Sequence, residues 1–311
     1  MRVTDWMRYQ GFASTYQQLV GDQLKLQRQI ASGKRILVPS DDTAGAARAQ
    51  RYNQVLSILG QNTRNVDEAT DWSRTTENAV LTSINYIQRA QELAVKATDV
   101  TLSAGDRQAV TEELEQIIGG LVDTAGLRHR GHAVFSGSRT DVAAFAAVYG
   151  VDGKISAVNY QGNGENRTTE ITPGRNTSYN LLGSNEAGGQ FGVFRDTSAG
   201  IDIFGTLIEL RNFVTADDKG SIGTISIAAL QDCLTHLTEA EARLGGTQSR
   251  LIAANTSNED LNEITTSALS KISDTDIAEA ATNFSQLETA YQAALATGSR
   301  IMDLSLVDYL R

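Results

Sequence analysis

The sequence predicts a mainly α protein with a β-rich insertion, in which long N- and C-terminal helices form an antiparallel coiled-coil bundle. Three observations predict it. Only two prolines, Pro39 and Pro173, occur in 311 residues. Proline breaks a helix by removing a donor and clashing with the preceding turn, so its scarcity permits long helices. Four segments repeat apolar residues at alternating three- and four-residue spacing, the mark of a seam along a helix. Between about residues 134 and 199 that spacing gives way to Gly, Thr, Asn and Ser with short alternating runs.

The first seam is Tyr9, Phe12, Tyr16, Leu19, Gln23, Leu26 and Ile30. It is interrupted by Ser32-Gly33-Lys34-Arg35-Ile36-Leu37-Val38-Pro39-Ser40. Pro39 biases Val38 toward an extended backbone. Ser40 or Asp41 can then cap a second helix, with Asp42 favourable near its N-terminus. That helix reaches about Ala97, a length of roughly 85 Å at 1.5 Å per residue. Its stripe is Val55, Leu59, Asn62, Val66, Ala69, Ser73, Thr76, Val80, Ser83, Ile87, Ala90 and Ala94. A shorter helix after Asp106 shows Val110, Leu114, Ile117 and Leu121 on one face.

In the centre, residues 154–160, 167–172 and 177–182 alternate as strands, and Gly162-Asn163-Gly164 reads as a turn. The helical pattern resumes near Ile201. Its stripe is Ile227, Leu230, Leu234, Leu237, Glu241, Leu244, Gln248 and Leu251. Gly245-Gly246 costs helix propensity, so it either ends that helix or admits a close neighbour. The Asn- and Ser-rich stretch 255–262 shifts the heptad phase. The last seam is Ile277, Ala280, Phe284, Leu287, Tyr291, Ala294, Gly298 and Ile301. The expected organisation is an N-terminal segment 1–40, a helical hairpin 41–133, a β-rich outer domain 134–200, returning helices 201–276 and a C-terminal helix 277–311.

Composition narrows the function. Aromatic residues are 6% of the chain against 41% hydrophobic residues overall, which suits aliphatic seams better than a ring-lined pocket. The net charge of −10 argues against nucleic acid and anionic membrane surfaces. Cys233 is alone, which excludes an internal disulfide and a cysteine-based metal cluster. The opening Met1-Arg2-Val3-Thr4-Asp5-Trp6 has no apolar leader core, and no run of about 18 apolar residues exists to span a membrane.

Candidate chemistry is sparse. His129 and His132 are three apart, but Arg128 and Arg130 beside them repel a cation, so packing or loop roles are preferred to a metal site. Cys233 and His236 share a helix, where a small buried hydrophobe is the better reading of the thiol. Gly162/Gly164 and Gly188-Gly189-Gln190-Phe191-Gly192 lack the spacing of a phosphate cradle. Asp41-Asp42 suits a helix start and Asp217-Asp218 has no acid–base partner. No catalytic residue, cofactor site or metal site is expected. A self-assembling structural subunit is the favoured class; an enzyme with a site in the β-rich part is the other.

Specific motifs sharpen this. Ile30 to Gly45, read Ile-Ala-Ser-Gly-Lys-Arg-Ile-Leu-Val-Pro-Ser-Asp-Asp-Thr-Ala-Gly, resembles the N-terminal signature of the bacterial flagellin family. Its motif residues here are Ser32, Gly33, Arg35, Pro39, Ser40, Asp41 and Asp42. Pro39-Ser40-Asp41-Asp42, the opening Met1–Thr4 with Met7–Gln10, Phe135–Ser138, Tyr160–Asn163, Asp274–Ala280 and Leu304–Leu310 are similar to the hook-associated members of that family. The resemblance covers both ends closely and the middle loosely.

The resemblance implies a flagellin-like fold and a subunit at the junction between hook and filament, with a minor filament flagellin as the alternative. It implies a homo-oligomeric ring on the flagellar axis. Its neighbours would be a hook-associated protein on the hook side and flagellin on the filament side, with an export chaperone beforehand. It implies export by the flagellar type III apparatus without a cleaved signal peptide and an extracellular location, with no nucleic acid or membrane partner. The residues expected to drive assembly are Tyr9, Phe12, Tyr16, Leu19, Leu26, Ile30, Ile277, Phe284, Leu287, Tyr291, Ile301, Leu304, Leu306 and Tyr309.

Overall fold

The computed structural model describes residues 2–186 and 188–309, with side chains described for residues 6, 7, 9–186 and 188–299. The helices are α1 (Arg2–Ser32), α2 (Thr43–Ala97), α3 (Ala104–Ala125), α4 (Ile203–Ala216), α5 (Lys219–Ser221), α6 (Ile227–Ser273) and α7 (Ile277–Tyr309), with a π-helical turn over Ile222–Ser226. The strands lie between α3 and α4, so the fold is mainly α with a β-rich insertion. The chain divides into two compact units, Leu59–Glu259 and Met1–Ile58 with Asp260–Arg311.

In the Leu59–Glu259 unit, every α2 stripe position from Leu59 to Ala94 is buried. Asn62, Ser73, Thr76 and Ser83 are among them. Two of these polar groups are satisfied locally, because Thr76 and Ser83 donate to the carbonyls of Trp72 and Ala79 four residues back. Val55, the first residue of the predicted stripe, is 40% exposed and belongs to the other unit. α3 starts on a Ser103 cap whose Oγ accepts from the Asp106 amide, and it buries Val110, Leu114, Ile117 and Leu121 as the spacing predicts.

The α6 stripe differs from expectation. Leu230, Leu237, Leu244 and Leu251 are buried, but the alternating positions are Ser226, Cys233, Ala240 and Thr247, one residue before the predicted set. Ile227 and Leu234 are only half-buried. The larger apolar residues suggested the wrong register, whereas the packed face alternates leucine with small residues. Ala254 and Asn258 continue the corrected stripe, so 255–262 needs no phase shift. Gly245-Gly246 neither ends the helix nor meets a neighbour within the chain; α6 runs through it with open space beside both.

α2 and α6 run antiparallel here. Gln91 donates to Gln231 at 3.3 Å and Gln248 donates to Glu77 at 2.8 Å, so numbers fall on one helix as they rise on the other. Arg211 of α4 is 5% exposed and pairs with Glu115 of α3 at 2.5 Å while also donating to the Ile155 carbonyl at 2.7 Å. Glu115 in turn accepts the Ile155 amide at 2.7 Å, which ties Ile155, the first residue of the strand Ile155–Tyr160, to two helices.

The strands form β1–β2 (Arg128–His129, His132–Ala133), β3–β4 (Phe145–Tyr149, Ile155–Tyr160) and β5–β6 (Thr168–Thr172, Arg175–Ser178), each antiparallel. In the last sheet β7 (Leu182–Asn185) pairs parallel with β8 (Gly192–Asp196), which pairs antiparallel with β9 (Ile201–Asp202). The predicted run 177–182 is divided: β6 ends at Ser178 and β7 begins at Leu182. Buried Tyr179 and Asn180 lie in that gap, and Asn180 Oδ1 accepts the Arg167 amide at 2.8 Å. The β3 and β8 strands give no clean alternation because Phe145, Val193 and Phe194 enter one aromatic cluster with Phe135 and Phe204. Ring centroids there lie 5.0–5.7 Å apart. The β5 strand is fastened by both long helices, because Asn65 donates to the Glu170 carbonyl at 2.9 Å and Asn258 to the Ile171 carbonyl at 2.8 Å.

Candidate assembly site

The Met1–Ile58 with Asp260–Arg311 unit holds both chain ends, and its α1 packs along α7. The Tyr16 and Tyr291 hydroxyls meet at 2.9 Å with ring centroids 5.4 Å apart. Nearer the termini, the Phe12 ring lies against Gly298, where a Cβ would collide with it. Numbers rise on one helix as they fall on the other, so the pair is antiparallel. The hydroxyl bond raises the Tyr16 phenol above its ordinary pKa, with burial adding to it.

The predicted seam residues gather on this pair, but they are not a core. Phe12, Tyr16, Leu19, Leu26, Ile30, Phe284, Leu287 and Tyr291 are all half-buried. Tyr9 is 55% exposed and Ile277 58% exposed. Among the described residues of the last seam, only Ala280 and Gly298 are buried. Two helices cover each other along one line and leave the flanks of that line open. Ile301, Leu304, Leu306 and Tyr309 belong to α7, but their side chains lie outside the described residues.

The motif residues build a second feature, a latch across two helix breaks. The α1–α2 break and the α6–α7 break lie side by side, joined by an antiparallel bridge between Lys34 and Asp274. The Arg35 amide donates to the Ser273 carbonyl at 2.7 Å and the Thr275 amide to the Gly33 carbonyl at 3.0 Å. Gly33 takes φ 68°, a left-handed conformation that glycine adopts without penalty, so α1 can end at Ser32. Lys34 Nζ pairs with the Asp274 carboxylate, which also accepts from Ser270 and Ser273. Arg35 donates to the Ile272 carbonyl at 2.9 Å and to Asp42 at 3.0 Å.

The acidic pair divides its work. Asp42, rather than Ser40 or Asp41, caps α2, since its Oδ1 accepts the Gly45 amide at 2.8 Å. Asp41 instead closes the turn, accepting the Leu37 and Val38 amides at 3.0 and 3.1 Å and pairing with Lys25 of α1 at 2.9 Å. The lysine and the two amides hold the Asp41 carboxyl at about 2. Lys34 and the two serines hold Asp274 at about 2 as well. Pro39 and Ser40 occupy the exposed tip of the turn. Gln29 of α1 donates to the Arg35 carbonyl at 2.7 Å, and sequence reasoning missed it, Lys25, Lys34 and Asp274 as latch members. Lys34 and Asp274 are 240 positions apart, and no local pattern links them.

The candidate chemical residues are occupied by packing. His129 Nδ1 lies 2.9 Å from the Thr75 hydroxyl, and its ring meets the edge of Trp72. His132 pairs with Thr140. His236 stacks on Phe191 and bonds the Gly192 carbonyl at 2.8 Å. Cys233 is buried, and burial pushes its thiol up to about 11. Among the described residues, no group of three or more His, Cys, Asp or Glu side chains could hold a metal ion, and no helix is long and apolar enough to cross a membrane.

A chain with paired terminal helices around a β-rich insertion defines a class of helical structural subunit, and comparison with known proteins gives the family. The bacterial flagellin N-terminal helical region matches residues 9–140, and its C-terminal helical region matches residues 227–310. Together these matches take in more than two thirds of the chain, which therefore belongs to the bacterial flagellin family.

Phase 1 flagellin of Salmonella naestved and flagellin of Salmonella budapest are each 36% identical over 88 residues, 28% of this chain and 17% of the relative's length. Among solved structures, a flagellar hook-associated protein from Vibrio parahaemolyticus superposes with TM-score 0.63 at 16% identity, over 75% of this chain and 100% of that one. Flagellar hook-associated protein 3 from Legionella pneumophila gives 0.60 at 16%, over 72% and 98%. FlgL of Xanthomonas campestris gives 0.57 at 17%, over 71% and 99%. At these identities the likeness is one of fold.

Proposed function

We propose that the chain is a non-enzymatic subunit of the junction between flagellar hook and filament, assembled through its terminal helices. The observation that carries this reading is the fold shared with hook-associated proteins over 98–100% of their lengths.

The half-buried seam supplies the mechanism. Each residue from Phe12 to Ile30 and from Phe284 to Tyr291 on the seam keeps an open flank. Neighbouring copies would cover those flanks, at about 25 cal/mol per Å² of apolar area removed from water. Isolated helices are marginal without such packing. The terminal helices would therefore be disordered in the free subunit and order on joining the ring. A junction subunit must meet a hook-side hook-associated protein on one face and filament flagellin on the other. Such heterologous contacts repeat around and along a tube. Export through the flagellar type III apparatus, chaperone escort and an extracellular site belong to the same reading.

A minor filament flagellin is the second reading, favoured by the Salmonella flagellins among the sequence relatives. Electron microscopy of a strain lacking this chain separates them. Hooks without filaments, with flagellin shed into the medium, are the expected result. Filaments of ordinary length on those hooks would leave the minor-flagellin reading standing instead.

A further inference from the structure

We propose that the latch is the nucleus from which the two terminal helices zip together. It lies at the inner end of both α1 and α7, whose far ends are the chain termini.

Starting a helix is the costly step, because three residues must be fixed before the first hydrogen bond forms, whereas each later residue adds a bond as it is fixed. The latch meets that cost for both helices at one place. On the α1 side, Lys25 is held by Asp41 at 2.9 Å and Gln29 donates to the Arg35 carbonyl at 2.7 Å. The last two turns of α1 are thereby tied to the loop that follows them. On the α7 side, Asp276 caps the first turn by accepting the Ala278 and Glu279 amides at 2.9 and 3.2 Å. Between them, the paired backbone bonds of Arg35 with Ser273 and Thr275 with Gly33 set the two helix ends side by side. Lys34 with Asp274 and Arg35 with the Ile272 carbonyl brace the same crossing. Beside the latch, Gln29, Ser273 and Ala280 are each under 10% exposed, and toward the N-terminal end of α1 Trp6 and Met7 are each 62% exposed.

The inference rests on the reading that the termini order on assembly, and it adds where that ordering begins. Hydrogen exchange by mass spectrometry on the free full-length chain tests it. The expected pattern is protection over residues 25–45 and 270–280, fading toward residue 9 on one side and residue 299 on the other. Lys34→Ala should lower protection about two- to fivefold in both segments together, with residues 59–259 unchanged. The exchange Lys34→Asp with Asp274→Lys should restore both. The idea fails if only one segment responds, if the double exchange restores neither, or if the wild-type latch is as open as the termini. Equal protection along the whole of α1 and α7, or loss across 59–259 in Lys34→Ala, would also overturn it. None of these outcomes depends on the subunit's position in the flagellum, which the deletion strain reports separately.

Discussion

At Gly298 the missing Cβ decides how closely α1 can lie on α7, because the Phe12 ring fills that place. Gly298→Val should force the ring aside and block incorporation into flagella, seen as lost motility. The melting of residues 59–259 should stay within about 0.5 kcal/mol of wild type. Arg211 is a different case, a buried charge with Glu115 and a strand carbonyl as partners. Arg211→Leu leaves Glu115 without its cation, so urea unfolding should register a loss of about 3 kcal/mol. The seam positions of both residues 12 and 298 were legible from spacing, since each falls on a three–four repeat. Arg211 was not, because a single arginine in an apolar helix looks like a solvated residue until the fold brings Glu115 to it.

The latch shows what an element adds beyond its residues. Asp41 and Asp274 sit at about 2 when folded, against an ordinary aspartate near 3.9. A depressed folded pKa contributes stability above the unfolded value and loses it as pH falls through the folded one. Asp41 faces Lys25, Asp274 faces Lys34, and Asp42, also lowered, faces Arg35 and Arg48. Latch protection should therefore hold at pH 5 and fall away between about pH 4 and pH 2, as measured by pulsed exchange at each pH. High salt should weaken it as well, because these pairs are solvent-exposed. Element type was largely legible: the α2 stripe reads correctly from Leu59 to Ala94, since one helix face stays buried throughout. On α6 the leucines at 230, 237, 244 and 251 read correctly, but the positions between them fall one residue earlier than predicted, because Cys233, Ala240 and Thr247 are too small to stand out against Leu234. Strands β3 and β8 escaped notice because burial does not alternate along them: β3 grades from buried to exposed, and β8 is buried at four of its five positions, which removes the pattern that marks a strand.

At the scale of the whole chain, two compact units suggest two tasks. Residues 59–259 bury the principal core, while the terminal unit buries few large apolar side chains among its described residues. Deleting residues 1–30, or residues 277–311, should leave a soluble chain whose residues 59–259 melt cooperatively near the wild-type temperature. Neither deletion should assemble in sedimentation assays or restore swimming. Assembly by both truncated chains would remove the terminal helices from the mechanism.

The sequence by itself determined the helical class, the helix-breaking middle, the two terminal seams and the family motif, because periodicity, proline placement and local signatures are written along the chain. Tertiary structure alone decided which seam residues meet, that they meet by half rather than as a core, and that Lys34 and Asp274 close one latch. Those facts depend on groups hundreds of residues apart sharing one place, which no local spacing encodes.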